Sequence, residues 1–204
     1  MKEVILASAS ERRSRILSDC GIAHRVMPSG VEESVDKNRH VSEIVQINAA
    51  AKAEAAAGAA GGGNDSGSEG PVVIGADTLV VHGRDCLGKP DGEDAARDML
   101  KRFSGTEVEV YTGLCVILPC EGKKAAGFEK SSLRVALLTD SQVERYFRLL
   151  GPYDKAGGFS IEGVGSLLFD NIRGSYFNIL GLPMIKLREL FEQAGLDILD
   201  HIGK

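Results

Sequence analysis

Residues 107–118, EVEVYTGLCVIL, and residues 127–138, GFEKSSLRVALL, flank the turn Glu121-Gly122-Lys123. Both runs are rich in β-branched and aromatic residues, and a Gly-centred turn between two such runs predicts a β-hairpin. Outward from the hairpin the period changes. Thr139-x-x-Gln142 has the capping-box spacing and predicts a helix to Leu150. Upstream, Asp91 can cap a helix ending near Phe103, and PVVIGADTLVV (71–81) reads as a strand, a tight turn and a second strand. At the start, Val4 to Ala7 predicts a short strand. Ser10 then caps a helix with Ile16, Leu17 and Cys20 on one face, and a second strand follows at Ala23 to Met27. Residues 29–40 are polar and read as a loop. Ser42 can cap a long helix through Ile44, Ile47 and Lys52 into an alanine run. Short strands are expected at 158–162 and 166–169, and Pro183 suits the first turn of a last helix through Phe191. Helices alternating with strands that include a hairpin predict a mixed α/β sheet, not a strictly parallel one.

The chain has 204 residues, enough for one domain or for two lobes sharing a sheet. It is 43% hydrophobic and 26% charged, which is ordinary for a globular protein. No apolar run approaches the length of a membrane span, so no membrane partner is expected. The opening MKEVILASASERR has too short an apolar stretch for a signal peptide, and the expected location is the cytoplasm. The net charge of −5, from 24 basic and 29 acidic residues, argues against a nucleic-acid polymer as partner. A small anionic ligand needs only a few local cations. Cys20, Cys86, Cys115 and Cys120 form no CxxC pair and are expected as reduced thiols, mostly buried. His24, His40, His82 and His201 have no metal-binding spacing. GAAGGGNDSGSEG (58–70) reads as a mobile Gly/Ser loop, too short to link domains.

Several segments carry candidate chemistry. Ser10-Glu11-Arg12-Arg13 follows a strand and opens a helix, where backbone N–H groups and the helix dipole favour phosphate and the arginines add bidentate donors; a capped surface helix explains the same residues. Asp77, after Gly75 at the end of an apolar strand, is placed to hold a metal or activate water, or simply to bond within a turn. Gly83 to Lys89 has the spacing of a phosphate-binding P-loop. Pro90, however, stands where the magnesium-binding hydroxyl belongs, and no long helix begins at Lys89. That reading is rejected, leaving Lys89 as a point charge for phosphate. Two Gly-rich stretches, 154–158 and 174–183, have the composition of backbone that approaches a ligand or makes ordinary turns.

Taken together, LASASERRSRIL, the lysine within NAAAKAEA, GADTLVV, LGKPDGEDAARDML, FSGTEVEVYTG, YDKAGGFSIEG and GSYFNILGLP resemble, in order, the Maf family of nucleotide pyrophosphatases. The resemblance covers nearly the whole chain. It implies one Maf-like domain over 1–204: an elongated mixed sheet with flanking helices and two lobes with a cleft between them, as in inosine triphosphate pyrophosphatases. It also implies cleavage of a nucleoside triphosphate to monophosphate and pyrophosphate with Mg2+ or Mn2+. By the same resemblance Asp77 accepts the proton of the attacking water from a position facing the cleft, and joins Glu33 at the metal. Ser10, Arg13, Lys52 and Lys89 hold phosphates, and Arg12, Thr78 and Glu162 set the choice of base.

Some positions depart from the family pattern. Glu11 replaces a proline, Val108 stands where many members have His, and the 58–70 loop looks inserted. Arg12 and Thr78 resemble the branch cleaving dTTP and UTP, where Glu162 would be Gln; Glu162 itself looks more like the branch preferring 7-methyl-GTP. The reading is a pyrophosphatase leaning to dTTP and UTP. A 7-methyl-GTP enzyme and a nucleotide-binding regulator of cell division are the alternatives. A homodimer is left open.

Overall fold

The computed structural model describes residues 2–34, 36, 38–60, 70–149 and 156–203. The chain opens with β1 (Val4–Leu6), fully buried, and α1 (Glu11–Asp19). Ser10 is the N-cap of α1, its side chain accepting the N–H of Arg13, and Ile16 and Leu17 form the buried face. Cys20, expected on that face, is the C-cap. β2 (His24–Val26) runs parallel to β1. α2 (Val41–Ala59) is the long helix expected, but its N-cap is His40, not Ser42. The Nδ1 of His40 accepts from the Ser42 N–H at 3.3 Å and pairs with the Ser42 hydroxyl at 2.7 Å. A neutral imidazole nitrogen accepts much as a hydroxyl does, so the helix starts earlier than the Ser signal indicates. The core of the Gly/Ser stretch, residues 61–69, lies outside the described residues, as do Asp154 and Lys155 of the first Gly-rich segment.

β3 (Val72–His82) is one continuous strand where strand, turn and strand were expected. Gly75 does not mark a turn. A Cβ there would sit 2.1 Å from the Ala49 carbonyl oxygen and 2.9 Å from the Ala53 Cβ, so the glycine lets α2 lie directly on the strand. Gly113 plays the same part on the next strand, where a Cβ would be 2.2 Å from the Val45 carbonyl oxygen. The alanine run of α2 follows from the same demand, since only small side chains fit so close a helix–sheet contact.

β3 is parallel to β1 and antiparallel to the short β4 (Asp85–Leu87). α3 (Glu93–Phe103) has Gly92 as N-cap, with no side-chain cap, in place of Asp91. Asp91 lies one residue too early, and the first turn carries Glu93 and Asp94 to satisfy the helix dipole. β5 (Glu107–Leu118) and β6 (Lys123–Val135) are neighbours joined by a 3-10 turn, Pro119–Glu121, and Gly122; so short a link makes them the expected hairpin. α4 (Asp140–Leu149) opens with the capping box as read: the Thr139 N–H donates to Gln142 Oε1 at 2.8 Å, and the Gln142 N–H donates to Thr139 Oγ1 at 3.3 Å.

The strands expected at 158–162 and 166–169 are absent from the described residues. Two 3-10 segments, Ala156–Gly158 and Gly163–Leu168, occupy that region. Gly157 and Gly158 have φ of +73° and +69°, outside anything a strand allows. β7 (Phe169–Arg173) follows and pairs antiparallel with β6. α5 (Tyr176–Ile179) and α6 (Met184–Gln193) complete the helices, with Pro183 as the N-cap of α6, one position before the first turn.

The seven strands among the described residues form one mixed sheet in the order β2-β1-β3-β5-β6-β7, with β4 on β3, flanked by helices. The chain forms two compact units. One comprises Met1–Asp77, Thr112–Glu129 and Leu180–Lys204; the other comprises Thr78–Tyr111 and Lys130–Ile179. In the first, Ile5, Ala7, Val73, Cys115 and Ile117 pack against Ala49, Ala53 and Ala56 of α2. In the second, buried Leu100 and Phe103 of α3 and Tyr146 and Phe147 of α4 belong to the core, with edge-on contacts of Phe103 with Phe159 and of Phe159 with Phe169.

Candidate active site

The close seating of α2 brings its Asn48 and Lys52, one turn apart on one face, to the end of the buried part of β3. There Asp77 is 2% exposed, Asn48 3% and Lys52 8%. Lys52 Nζ donates to Asp77 Oδ1 at 2.7 Å and to Glu33 Oε1 at 2.7 Å. Asn48 Nδ2 donates to the other oxygen of Asp77 at 2.9 Å. Glu33, in the loop before α2, keeps its side chain 55% exposed. One ammonium therefore bridges a buried carboxylate and an exposed one. Asp77 was expected to face an open cleft; it is instead enclosed by α2, with both oxygens already in hydrogen bonds. Burying a carboxylate costs several kcal/mol unless it is paired and hydrogen-bonded, and here it is both.

Arg13 reaches the same region from α1. Its Nε donates to the Gly181 carbonyl at 2.8 Å, and one Nη donates to Ser8 Oγ at 2.9 Å and to the Ala76 carbonyl at 3.1 Å. Burial pushes the guanidinium pKa down. The fields of Asp77 and Glu33 oppose that shift, and neighbouring Arg12 adds to it. Sequence reading assigned Arg13 to phosphate. The structure shows it tying the loop after β1, the residue before Asp77 and the turn before α6 together. Ser10 is committed locally as the cap of α1 and lies half-buried beside this network.

The structure thus assembles Glu33, Lys52, Asp77 and Arg13 within the first unit. Lys89, Thr78 and Glu162 belong to the second. Lys89 is exposed just after β4, in an irregular segment where the Gly157 N–H donates to the Gly88 carbonyl at 3.0 Å. Thr78 follows Asp77 on β3 and, by strand alternation, projects from the opposite face. Glu162 is half-buried at the start of the Gly163–Leu168 segment, its N–H donating to Ser160 Oγ at 3.1 Å. Arg12 is half-buried in the first turn of α1.

Two residues of the network escaped the sequence reading. Ser8 is buried and accepts from Arg13 and from the Ser10 N–H. Asn48 was quoted only as part of a motif. The available signal was its spacing: a polar residue four positions before a lysine, in the apolar stripe of an alanine-rich helix.

Glu33 Oε1 and Asp77 Oδ1 lie no more than twice 2.7 Å apart, because both contact one nitrogen. A compact cation already sits between them in the form of the Lys52 ammonium. Carboxylate oxygens are the hard donors that magnesium and manganese take, with phosphate and water as further ligands. The described residues hold no group of three or more His, Cys, Asp or Glu side chains arranged to bind a metal, so a site here would rest on these two carboxylates and the substrate.

A family profile described as Maf-like protein matches residues 3–194. The chain is 38% identical over 198 residues to the dTTP/UTP pyrophosphatase of Desulforamulus reducens, covering 97% of this chain and all of the relative. It is 39% identical over 198 residues to the dTTP/UTP pyrophosphatase of Moorella thermoacetica, covering 97% and 98%. The protein of the same name from Clostridioides difficile is 38% identical over 190 residues, covering 93% and 94%.

Proposed function

Because the chain belongs to the Maf-like protein family, we propose that it hydrolyses dTTP and UTP to the monophosphate and pyrophosphate. The observation that carries this reading is the Glu33–Lys52–Asp77 cluster, in a chain matched end to end with relatives named dTTP/UTP pyrophosphatase. Water attacks the α-phosphorus, the bond to the α–β bridging oxygen breaks, and pyrophosphate leaves with that oxygen. Asp77 accepts the proton of the attacking water. Lys52 and Arg13 supply the positive charge that the departing pyrophosphate requires. Asp77 and Glu33 are the residues to hold a magnesium or manganese ion, which when bound offsets charge on the triphosphate. No helix among the described residues is long and apolar enough to cross a membrane, and the proposed setting is the nucleotide pool of the cytoplasm.

The test is product analysis in 18O-labelled water. Equal amounts of monophosphate and pyrophosphate are expected, with the label in the monophosphate. Diphosphate with orthophosphate, or label in pyrophosphate, refutes α-phosphorus attack. Chelation by EDTA should abolish turnover and added Mg2+ or Mn2+ should restore it; full activity in EDTA removes the metal. Asp77→Asn should lower kcat about 100-fold or more, the scale of a lost general base. Near-normal turnover of that variant removes Asp77 from the reaction.

A further inference from the structure

We propose that Asn48 is a positioning residue that fixes the spacing of Glu33 and Asp77, the two carboxylates assigned above to the divalent cation. The inference rests on that reading, but its geometry stands alone. The side chain is 3% exposed and its amide is engaged on every side. Oδ1 accepts the Ser34 N–H at 2.9 Å, and Nδ2 donates to the Ser34 carbonyl at 3.1 Å and to Asp77 Oδ2 at 2.9 Å. The Ser34 N–H can only donate, which sets the amide orientation and leaves the nitrogen to face two acceptors.

Asn48 therefore grips both backbone polar groups of the residue immediately after Glu33, as a sheet ladder would. The same nitrogen holds the carboxylate of Asp77. The loop before α2 has no strand or helix of its own around Glu33, and residues that carry chemistry on such loops need an external anchor. The amide is suited to this task. A carboxylate in its place cannot donate to Asp77, an aliphatic side chain cannot bond Ser34, and a serine is too short to reach both. Lys52, one turn later, closes the other side by bonding Asp77 Oδ1 and Glu33 Oε1. Asn48 contacts no reacting atom; it acts through the carboxylates.

The test compares the wild-type protein with Asn48→Leu, similar in volume, and Asn48→Ala, which suits the alanine-rich helix. Three quantities are read: Mn2+ affinity of the substrate-free protein by calorimetry, kcat and KM for dTTP, and the thermal midpoint. Both variants should bind Mn2+ about 10-fold or more weakly and lose about 10- to 100-fold in kcat, with KM within about threefold, the pattern of a group that orients metal ligands without touching substrate. In a Glu33→Ala background the Asn48 substitution should cost much less than in the wild type, because one of its two targets is gone. Mn2+ affinity and kcat within twofold of wild type in both variants would overturn the proposal, as would a loss of the same size with and without Glu33. If Asn48→Leu fails to fold, Asn48→Ala decides. If the wild-type protein releases no pyrophosphate from dTTP or UTP, the functional reading falls, and the Mn2+ titration still decides the role of Asn48.

Discussion

A carboxamide brings two N–H donors that a carboxylate lacks, and by the family resemblance that difference at residue 162 is expected to bear on the base. An ionised Glu only accepts hydrogen bonds, whereas Gln donates and accepts. Thymine and uracil present an N–H beside a carbonyl, which an amide reads as a pair. Guanine presents two adjacent N–H groups, which suit a carboxylate. Glu162 is half-buried, and its backbone is held by Ser160, whose own N–H donates to the Tyr146 hydroxyl at 3.2 Å. Its attachment is therefore fixed even though its reading of the base is an expectation. Glu162→Gln should raise the dTTP-to-GTP ratio of kcat/KM about tenfold, roughly 1.4 kcal/mol, the scale of one hydrogen bond. Steady-state kinetics with dTTP, UTP, GTP and 7-methyl-GTP check this; an unchanged ratio would take Glu162 out of base recognition.

At the scale of elements, the contact of α2 with β3 controls the site, and glycine makes it. Two identical substitutions, one on this contact and one in the exposed end of the same helix, should have opposite signs. Gly75→Ala places a methyl 2.1 Å from the Ala49 carbonyl oxygen, which forces backbone to move. It should cost about 3 kcal/mol or more, at the upper end for overpacking, and lower turnover because Asn48 and Lys52 ride on the displaced helix. Gly58→Ala, in the exposed last turns of α2 with nothing within 4 Å, should instead stabilise by up to about 1 kcal/mol through helix propensity. Chemical denaturation of the two variants checks both signs. The same contact explains what the sequence could and could not disclose. The hairpin and the Thr139–Gln142 box were legible because each is decided within a few residues. Gly75 read as a turn because its cause lies in a helix more than twenty residues upstream. His40 was passed over for Ser42 because histidine carries no strong cap signal. Lys52 and Asp77 were legible through ordered motifs and Glu33 only through the family resemblance, whereas Asn48 was not, since its partners Ser34 and Asp77 are brought to it only by tertiary structure.

Across the whole molecule, the four thiols are free, but only Cys115 is buried; Cys120 is exposed, and Cys20 and Cys86 are intermediate. Cys115 lies in β5 beneath the alanine face of α2, and burial pushes its thiol up to about 11 from an ordinary value of 9.0. A raised pKa means that the folded state holds this proton more tightly than the unfolded state. The associated stability is complete below about pH 9 and is lost as pH rises towards 11, by about 2–3 kcal/mol at 1.36 kcal/mol per unit. Denaturation midpoints should fall over that window in the wild-type protein and fall less in Cys115→Ala, once the lower baseline of the variant is subtracted. Equal falls in both would assign the alkaline loss to other groups. Below that window Cys115 should resist alkylation until the protein unfolds, while Cys120 reacts in the native state.

The seating of a helix backbone on strand backbone, with no side chain between them at Gly75 and Gly113, also has a mechanical meaning. Most helix–sheet contacts are cushioned by side chains that can change rotamer, and small voids among them yield under compression. Here helix carbonyl oxygens come so near the strands at Gly75 and Gly113 that no Cβ fits between them. Hydrostatic pressure acts by eliminating void volume, and at this junction there is little to eliminate. The helix carrying Asn48 and Lys52 rests against a hard stop, which limits how closely those two side chains can be pressed towards β3.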